Sequence, residues 1–384
     1  MTKQTDFLII GGGIAGLSAA IALQQIGASF LLVERQVFIK GIGAGFGITS
    51  NAIASFQQLG LAEEVEAIAN PLINLKIVDQ FGKQILDGNP QSLKGYNKTN
   101  YAIHRADLHA LLLSKIPKEA ILTDRKYSHF EQHEHHTTAY FNEGAPIECK
   151  YLLGADGIGS LIRQQMFANS PPRYAGYTCW RGVIDQGDIV LKSSIETWGA
   201  NGRFGITPLI RNQIYWYACI NAPANSTVYQ QYLLADLQAT FKDYHAIIPK
   251  VLAQTAPENL IHNDIIDIKP LTQYHSGNIL LLGDAAHATT PNLGQGACMA
   301  IEDVAILQQE LQHNSDIKSA FERVSQRRVQ RCTQIVNKSW TMGKVAQMDT
   351  KWLLPIRNNL LRCVPQRLQD RQMRDLLDTK FLNQ

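Results

Sequence analysis

The apolar positions of this chain fall into two textures. Residues 7–10 form a short unbroken apolar run, the pattern of a strand buried on both faces, and 14–26 predict a helix stopped by Gly27. Residues 30–33 then predict a second strand, which completes a βαβ unit. Further on, 105–116 predict a helix with Leu108, Leu111 and Leu112 on one face. The runs 151–154 and 278–282 end in Gly-rich turns, as buried parallel strands do. The second texture mixes β-branched and aromatic residues with polar ones over 75–86 and 177–220. Within it, 204–208 and 214–218 predict antiparallel strands joined by a turn at 210–212. Two sheet-type insertions thus interrupt nucleotide-type segments. From about 317 onward helical patterns dominate, broken by Pro355 and Pro365.

Composition narrows the function classes. A length of 384 residues allows two or three domains, and a net charge of +3 without a basic stripe argues against nucleic acid. The six cysteines form no CxxC pair, which excludes zinc-type spacing and predicts reduced thiols in the cytoplasm rather than a disulfide framework. The N-terminal apolar run breaks at Gly11-Gly12-Gly13 instead of at a cleavage site, so no signal peptide is expected. No stretch reaches about 18 uncharged apolar residues, so stable membrane insertion is not expected either.

The first chemical motif is Gly11-x-Gly13-x-x-Gly16 between strand and helix, with Glu34-Arg35 closing the second strand. Gly11 permits a tight turn, Gly13 lets backbone approach a pyrophosphate, and Gly16 allows close helix packing. The helix start supplies N–H groups to the phosphates, and a carboxylate about 20 residues on suits a ribose. The motif predicts a dinucleotide and leaves open which one.

Two further segments bear on that choice. One is Gly154-Ala-Asp156-Gly157-Ile-Gly-Ser160-Leu-Ile-Arg163; the other is Gly283-Asp284-Ala-Ala-His287, followed by Pro291-Asn-Leu-Gly294-Gln-Gly296 and a helix carrying Glu302 and Asp303. In order and spacing they resemble the fingerprints of the flavoprotein hydroxylases, the FAD-dependent aromatic-ring monooxygenases of the para-hydroxybenzoate hydroxylase fold. The resemblance spans nearly the whole chain. It implies an α/β fold with a discontinuous Rossmann-like FAD-binding domain (1–74, 101–174 and 273–335). It also implies an inserted mixed β-sheet substrate domain (75–100 and 175–272) and a C-terminal helical segment (336–384). The activity it implies is hydroxylation of a small aromatic or heteroaromatic substrate through a flavin C4a-hydroperoxide. FAD would be bound tightly without a covalent link, NADH or NADPH would be a transient co-substrate with O2, and the protein would be a monomer or homodimer.

The resemblance also implies roles for residues. Asp284 would bond a ribityl hydroxyl, although an N-cap role is open to it as well. The segment Pro291, Gly294 and Gly296 would aim a helix start at the flavin N1 and O2 edge. Glu34 and Arg35, with Arg105 in His104-Arg-Ala-Asp, would contact FAD. Gly45, in the stretch 43–51, would pass close to the isoalloxazine, and Asp156 would serve both FAD support and nicotinamide access. His287 is expected to bond backbone and shape its loop.

For the substrate, the spacing of Arg203, Pro208 and Tyr215 resembles the urate-hydroxylase branch, where such an arginine and tyrosine face the ring. An arginine there would suit an acidic or enolate-like substrate. Asn292 stands where that branch carries an acid, so substrate identity does not transfer. Tyr177, Trp180 and Arg181 resemble a family segment leading into the substrate sheet. His129, His133, His135 and His136 read as a solvated turn rather than a metal site. Residues 352–362 read as a helix strapped across the two domains, in preference to a membrane-surface helix. Two rivals stay open: a same-fold reductase that inserts no oxygen, and a non-catalytic flavin- or ligand-binding protein.

Overall fold

The computed structural model describes residues 3–39, 41, 44–88 and 99–383. β1 (Lys3–Ile10), α1 (Ile14–Gln25) and β2 (Phe30–Val33) form the expected βαβ unit, and Gly27 follows the end of α1 in the left-handed region at φ 72°. β3 (Gly45–Ile48), α2 (Ser50–Gln58), α3 (Ala62–Ala67) and β4 (Ala69–Leu72) lead to the hairpin of β5 (Leu75–Asp79) and β6 (Gln84–Gly88). Next come β7 (Asn100–His104), α4 (Arg105–Ser114) and β8 (Ile121–Leu122), then the hairpin β9 (Tyr127–Gln132) and β10 (Thr137–Phe141). β11 (Ile147–Gly154) and α5 (Leu161–Met166) precede four long strands, β12 (Pro172–Asp185), β13 (Ser194–Gly199), β14 (Gly202–Leu209) and β15 (Gln213–Asn221). Helices α6 (Thr227–Gln230), α7 (Leu234–Phe241) and α8 (Ile247–Ala253) lie before β16 (Ile261–Ile268), β17 (His275–Ser276) and β18 (Ile279–Leu281). The chain finishes with α9 (Asp284–His287), α10 (Gly296–His313), α11 (Ile317–Ala346), α12 (Leu354–Arg362) and α13 (Gln366–Leu377).

The strands β18-β11-β1-β2-β8 pair in that order and in parallel. Their short apolar runs are buried on both faces, which is why they read as unbroken rather than alternating. Register places Ile10 opposite Gly154, and Gly154 opposite Leu281. The turns that leave β1, β11 and β18 therefore emerge side by side at one edge of the sheet, where open α/β sheets bind ligands.

The second sheet runs β16-β12-β15-β14-β13-β5-β6 and is antiparallel except between β13 and β5. Its period-two pattern sends Trp180, Phe204, Ile206, Ile214 and Trp216 into a core roofed by Phe241, Ile248 and Leu252 of α7 and α8. The opposite face carries Tyr177, Cys179, Arg181, Glu196, Arg203, Tyr215, Tyr217 and Cys219, as the pairing of Arg181 with Tyr217, Arg203 with Cys219 and Glu196 with Gly205 requires. The predicted turn at 210–212 joins β14 to β15, with Arg211 and Asn212 at φ 58° and 54°. A small antiparallel sheet, β3-β7-β4, was not foreseen from the sequence.

The C-terminal helices lie against α11 and the second sheet. Arg357 is buried, donates to the carbonyls of Val345 (3.4 Å) and Ala346 (3.3 Å), and lies 5.1 Å from the Trp198 ring. Arg362 holds the Gln84 carbonyl (2.8 Å) and Asp79 (3.0 Å) at the sheet edge. Further along, the Leu376 carbonyl accepts from Arg331 of α11 (3.1 Å). Among the described residues no helix is long and apolar enough to cross a membrane. The four histidines of 129–136 lie on the β9–β10 hairpin, where His129 stacks on Tyr140 and His133 on His136.

Candidate active site

The turn after β1 is shaped by close approach. Gly11 sits at φ 109°, and a side chain there would meet the Ala155 carbonyl oxygen at 2.3 Å. At Gly16 it would lie 1.9 Å from the Gly11 oxygen. Gly13 differs: nothing lies within 4 Å of the position its Cβ would take. That space opens over the start of α1, which has no side-chain cap and no acid in its first turn, so its N–H groups are available to an anion. Glu34 accepts from the Gly12 N–H (2.7 Å) and the Gln36 N–H (2.9 Å), and His109 donates to the Gly12 carbonyl (2.8 Å). Burial pulls the His109 pKa below its usual value, so the ring is neutral and Nε2–H is the donor. Arg35 and Arg105 are exposed beside this turn, Arg105 as the first residue of α4.

The other two turns meet it. Asp156 receives the N–H groups of Leu161 (2.9 Å) and Ile162 (3.3 Å) on one oxygen, while its other oxygen is buried without a partner among the described residues. Burial raises its pKa against those hydrogen bonds. A side chain at Gly283 (φ 58°) would strike Ala15 of α1 and Ala300 of α10, so the turn after β18 is wedged between these helices. It presents Asp284 exposed at the start of α9, where the carboxylate makes no hydrogen bond among the described residues. Pro291 opens a single 3-10 turn that ends at Gly294 (φ 63°), and Gly296 begins α10, again without a side-chain cap or an acid in its first turn. Two uncapped helix starts, an orphaned carboxylate oxygen and an empty cradle at Gly13 fit a bound dinucleotide at this edge.

The polar face of the second sheet is tied up in itself. Arg203 is buried and uses all three guanidinium nitrogens: Nε to Gln347 (2.6 Å), Nη1 to Glu196 (3.0 Å) and Nη2 to Asn292 (2.8 Å). Glu196 also accepts from Trp198 (2.9 Å) and Tyr217 (2.7 Å), and Asn292 from the Tyr177 hydroxyl (3.0 Å). The structure does not leave Arg203 an unmatched charge: Glu196 balances it and each nitrogen has a protein partner, with two of the five guanidinium N–H groups to spare. Nor does the structure bring Arg203 and Tyr215 together. Arg203 pairs with Cys219, four residues from Tyr215 and so about 13 Å along the strand. Tyr215 instead packs on Gly45, where a side chain would meet its Cβ at 2.9 Å. That contact, as well as any ring, explains why residue 45 must be small; Gly43 lies outside the described residues. Burial pushes the Tyr215 pKa far up, so it stays a phenol and can donate a hydrogen bond.

Comparison with known proteins fits this geometry. A family model described as an FAD binding domain matches residues 4–339. The chain belongs to this family of FAD-dependent monooxygenases. It is 32% identical to the aurachin C monooxygenase/isomerase of Stigmatella aurantiaca, over 94% of this chain and 95% of that protein. It is 30% identical to the 2-heptyl-3-hydroxy-4(1H)-quinolone synthase of Pseudomonas aeruginosa, over 93% and 94%. Among solved structures, HpxO of Klebsiella pneumoniae with FAD and uric acid superposes with a TM-score of 0.89 at 25% identity, over 99% of this chain and 97% of that one. FAD is thus the dinucleotide.

Behind the three turns the flavoprotein buries a charge network that the sequence reading left without a role. Asp303 of α10 accepts from the Gly283 N–H (2.9 Å), His287 (2.6 Å) and Arg328 (2.8 Å). Glu302 is bonded by Asn51 (2.6 Å), Arg328 (2.6 Å) and Arg331 (2.7 Å). His287 bonds a carboxylate, not the backbone foreseen for it, yet it still shapes the loop. Burial opposes its protonation, but the Asp303 charge outweighs that and raises its pKa well above the usual value. His287, Asp303 and Cys332 lie close enough to hold a metal ion, but Arg328 already occupies that role as the cation, 2.8 Å from Asp303 and 3.4 Å from the Cys332 sulfur. Two acids in a helix otherwise as apolar as 296–307 were the available signal, because buried acids require cations. Arg181 is the other residue brought into view: Nη2 bonds Asn263 (2.6 Å), while its buried Nε has no partner among the described residues.

Proposed function

We propose that this flavoprotein is an NAD(P)H- and O2-dependent monooxygenase that hydroxylates a neutral aromatic heterocycle of the quinolone type. FAD reduced by a nicotinamide supplies the chemistry, activating dioxygen so that one oxygen atom enters the substrate and the other leaves as water. The protein's own residues bind, orient and exclude. Gly11, Gly13 and Gly16 with the α1 start would hold the pyrophosphate, Glu34, Arg35 and Arg105 the nucleotide end, and Asp284 the ribityl chain. Gly294, Gly296 and the α10 start would face the flavin edge that turns negative on reduction. Tyr215, a protonated phenol beside Gly45, would donate to a carbonyl oxygen of the substrate, and the buried sheet face would keep water from the ring.

The observation that carries the choice of substrate is the pairing of Arg203 with Glu196 inside the sheet. A cation so matched offers no net charge to an anionic ring, which favours a neutral heterocycle over a urate-like anion. Support also comes from the relative whose name gives a hydroxylated quinolone as its product. The test is NAD(P)H oxidation coupled to oxygen uptake on FAD-loaded protein, across 4-quinolones, phenols and purines, with isotopic oxygen traced into product. A neutral quinolone should stimulate turnover and acquire the label. Preference for urate would overturn the substrate class. Nicotinamide oxidation without labelled product, or none at all with FAD bound, would favour the reductase or ligand-binding readings.

A further inference from the structure

The outward face of α12 is apolar where a surface helix is ordinarily polar. Ile356 and Leu360 of α12 are 50% and 66% exposed, and Trp352, in the turn that leads into the helix, is 70% exposed. The packing requirements of the helix are met on its other side, by Leu354, Arg357 and Asn358. Leu368 continues the exposed apolar series into α13 at 47%. Charge is distributed just as unevenly. Between Lys351 and Arg374 the sequence has six lysine and arginine residues against the single acid Asp370, in a chain whose net charge is only +3. Arg357 and Arg362 of that set are turned inward onto the protein, but Lys351, Arg367 and Arg371 are exposed beside the apolar ridge.

From the ridge and its charges together we propose that α12 and the start of α13 dock the protein peripherally on an anionic lipid surface. The packing described above is the inner face of this element, and the lipid contact would be its outer face. Three features select a bilayer over a protein partner. Two cavities of about 430 and 440 Å³ lie elsewhere and are lined by none of the ridge residues. The exposed parts of three or four side chains fall short of the roughly 800 Å² per partner that specific protein interfaces bury. Tryptophan with leucine and isoleucine, accompanied by Lys351, Arg367 and Arg371 against the one acid Asp370, matches the chemistry of a headgroup boundary, where rings and aliphatic chains enter and cations meet phosphate. The proposal does not depend on which substrate the flavin site takes.

The test is flotation of the full FAD-loaded chain with vesicles of phosphatidylcholine alone and of phosphatidylcholine with one third phosphatidylglycerol. Binding should favour the anionic vesicles by tenfold or more and disappear in high salt, because surface charges are screened. The triple variant Trp352→Ser, Ile356→Ser, Leu360→Ser should lower partitioning at least tenfold while FAD content and melting temperature stay unchanged. Should that variant fold poorly, Arg367→Gln with Arg371→Gln gives an independent reading; each lost cation should cost about fivefold on anionic vesicles. No partitioning of the parent chain, or equal partitioning of either folded variant, would overturn the proposal. So would a concentration-dependent dimer that the triple variant abolishes, since the ridge would then be covered by a second copy.

Discussion

Replacing Glu196 by glutamine keeps the shape of the buried cluster and removes its negative charge. Arg203 cannot shed its proton, so its guanidinium would be left charged and unmatched at 3% exposure. Loss of one partner from a buried ion pair costs about 3–5 kcal/mol, because the desolvation of the other charge is no longer offset. With about 2.1 cal/mol/K of unfolding entropy per residue, a chain of 384 residues melting as one unit should lose about 4–6 °C. The companion double variant, Glu196→Gln with Arg203→Met, removes both charges and should regain most of that loss, which is the signature separating charge imbalance from lost packing. Thermal melting of the four FAD-loaded proteins supplies the cycle. The same single variant gives the sheet face a net positive charge, so the ratio of turnover with urate to turnover with a neutral quinolone should rise about tenfold. A melting shift under 1 °C for Glu196→Gln, or a double variant no better than the single one, would refute the idea that Arg203 is a matched, inward-facing cation.

Other consequences can be measured alongside. Gly13→Ala places its methyl in open space, so the apoprotein should melt within about 1 °C of the parent while FAD affinity falls at least tenfold. Gly16→Ala drives a methyl into the Gly11 oxygen and should destabilise the apoprotein itself, by about 1–3 kcal/mol. Asp284→Ala removes an exposed carboxylate without a partner among the described residues, so folding should be unaffected and FAD retention on dilution should drop sharply. Burial holds His109, His245, His262 and His275 below the usual histidine pKa of 6.5. Below that value the unfolded chain takes up protons that the folded one refuses, so stability should fall as pH drops from about 6.5 towards the folded pKa values. His109→Gln, which keeps a donor for the Gly12 carbonyl, should flatten this acid limb by up to about 1.4 kcal/mol per pH unit in denaturant titrations.

The parts of the fold legible in the sequence are those set by local rules. Short apolar runs flanked by glycine marked β1, β2, β11 and β18, and period-two alternation marked β14 and β15. The cofactor segments could be found because each needs a glycine for a contact within its own turn or with the next strand, as Gly11 does against Ala155. What stayed hidden depends on partners that only tertiary structure supplies. The spacing of Arg203 to Pro208 and Tyr215 says nothing of the partners of its guanidinium; Glu196 lies across a strand pair, and Asn292 and Gln347 come from segments 89 and 144 residues away. Cys179 and Cys219, far apart in sequence, likewise become directly opposed neighbours on β12 and β15.

Those hidden contacts join the two halves of the active site. Asn292, in the turn before α10, holds both Arg203 and Tyr177 of the substrate sheet, and on its other side donates to Thr290 (2.9 Å) and to the Ser339 carbonyl of α11 (2.9 Å). One amide side chain thus connects the turn before α10, the second sheet and the long C-terminal helix. An acid at this position would add a second negative charge next to Arg203, alongside Glu196, and the cluster would then carry an excess of negative charge that Arg203 alone could not match. Asparagine satisfies the same donors with the charge already balanced. On this reasoning the residue at 292 and the carboxylate at 196 form a linked pair: with Glu196 beside Arg203 there is no electrostatic need for an acid at 292, and the cluster stays neutral.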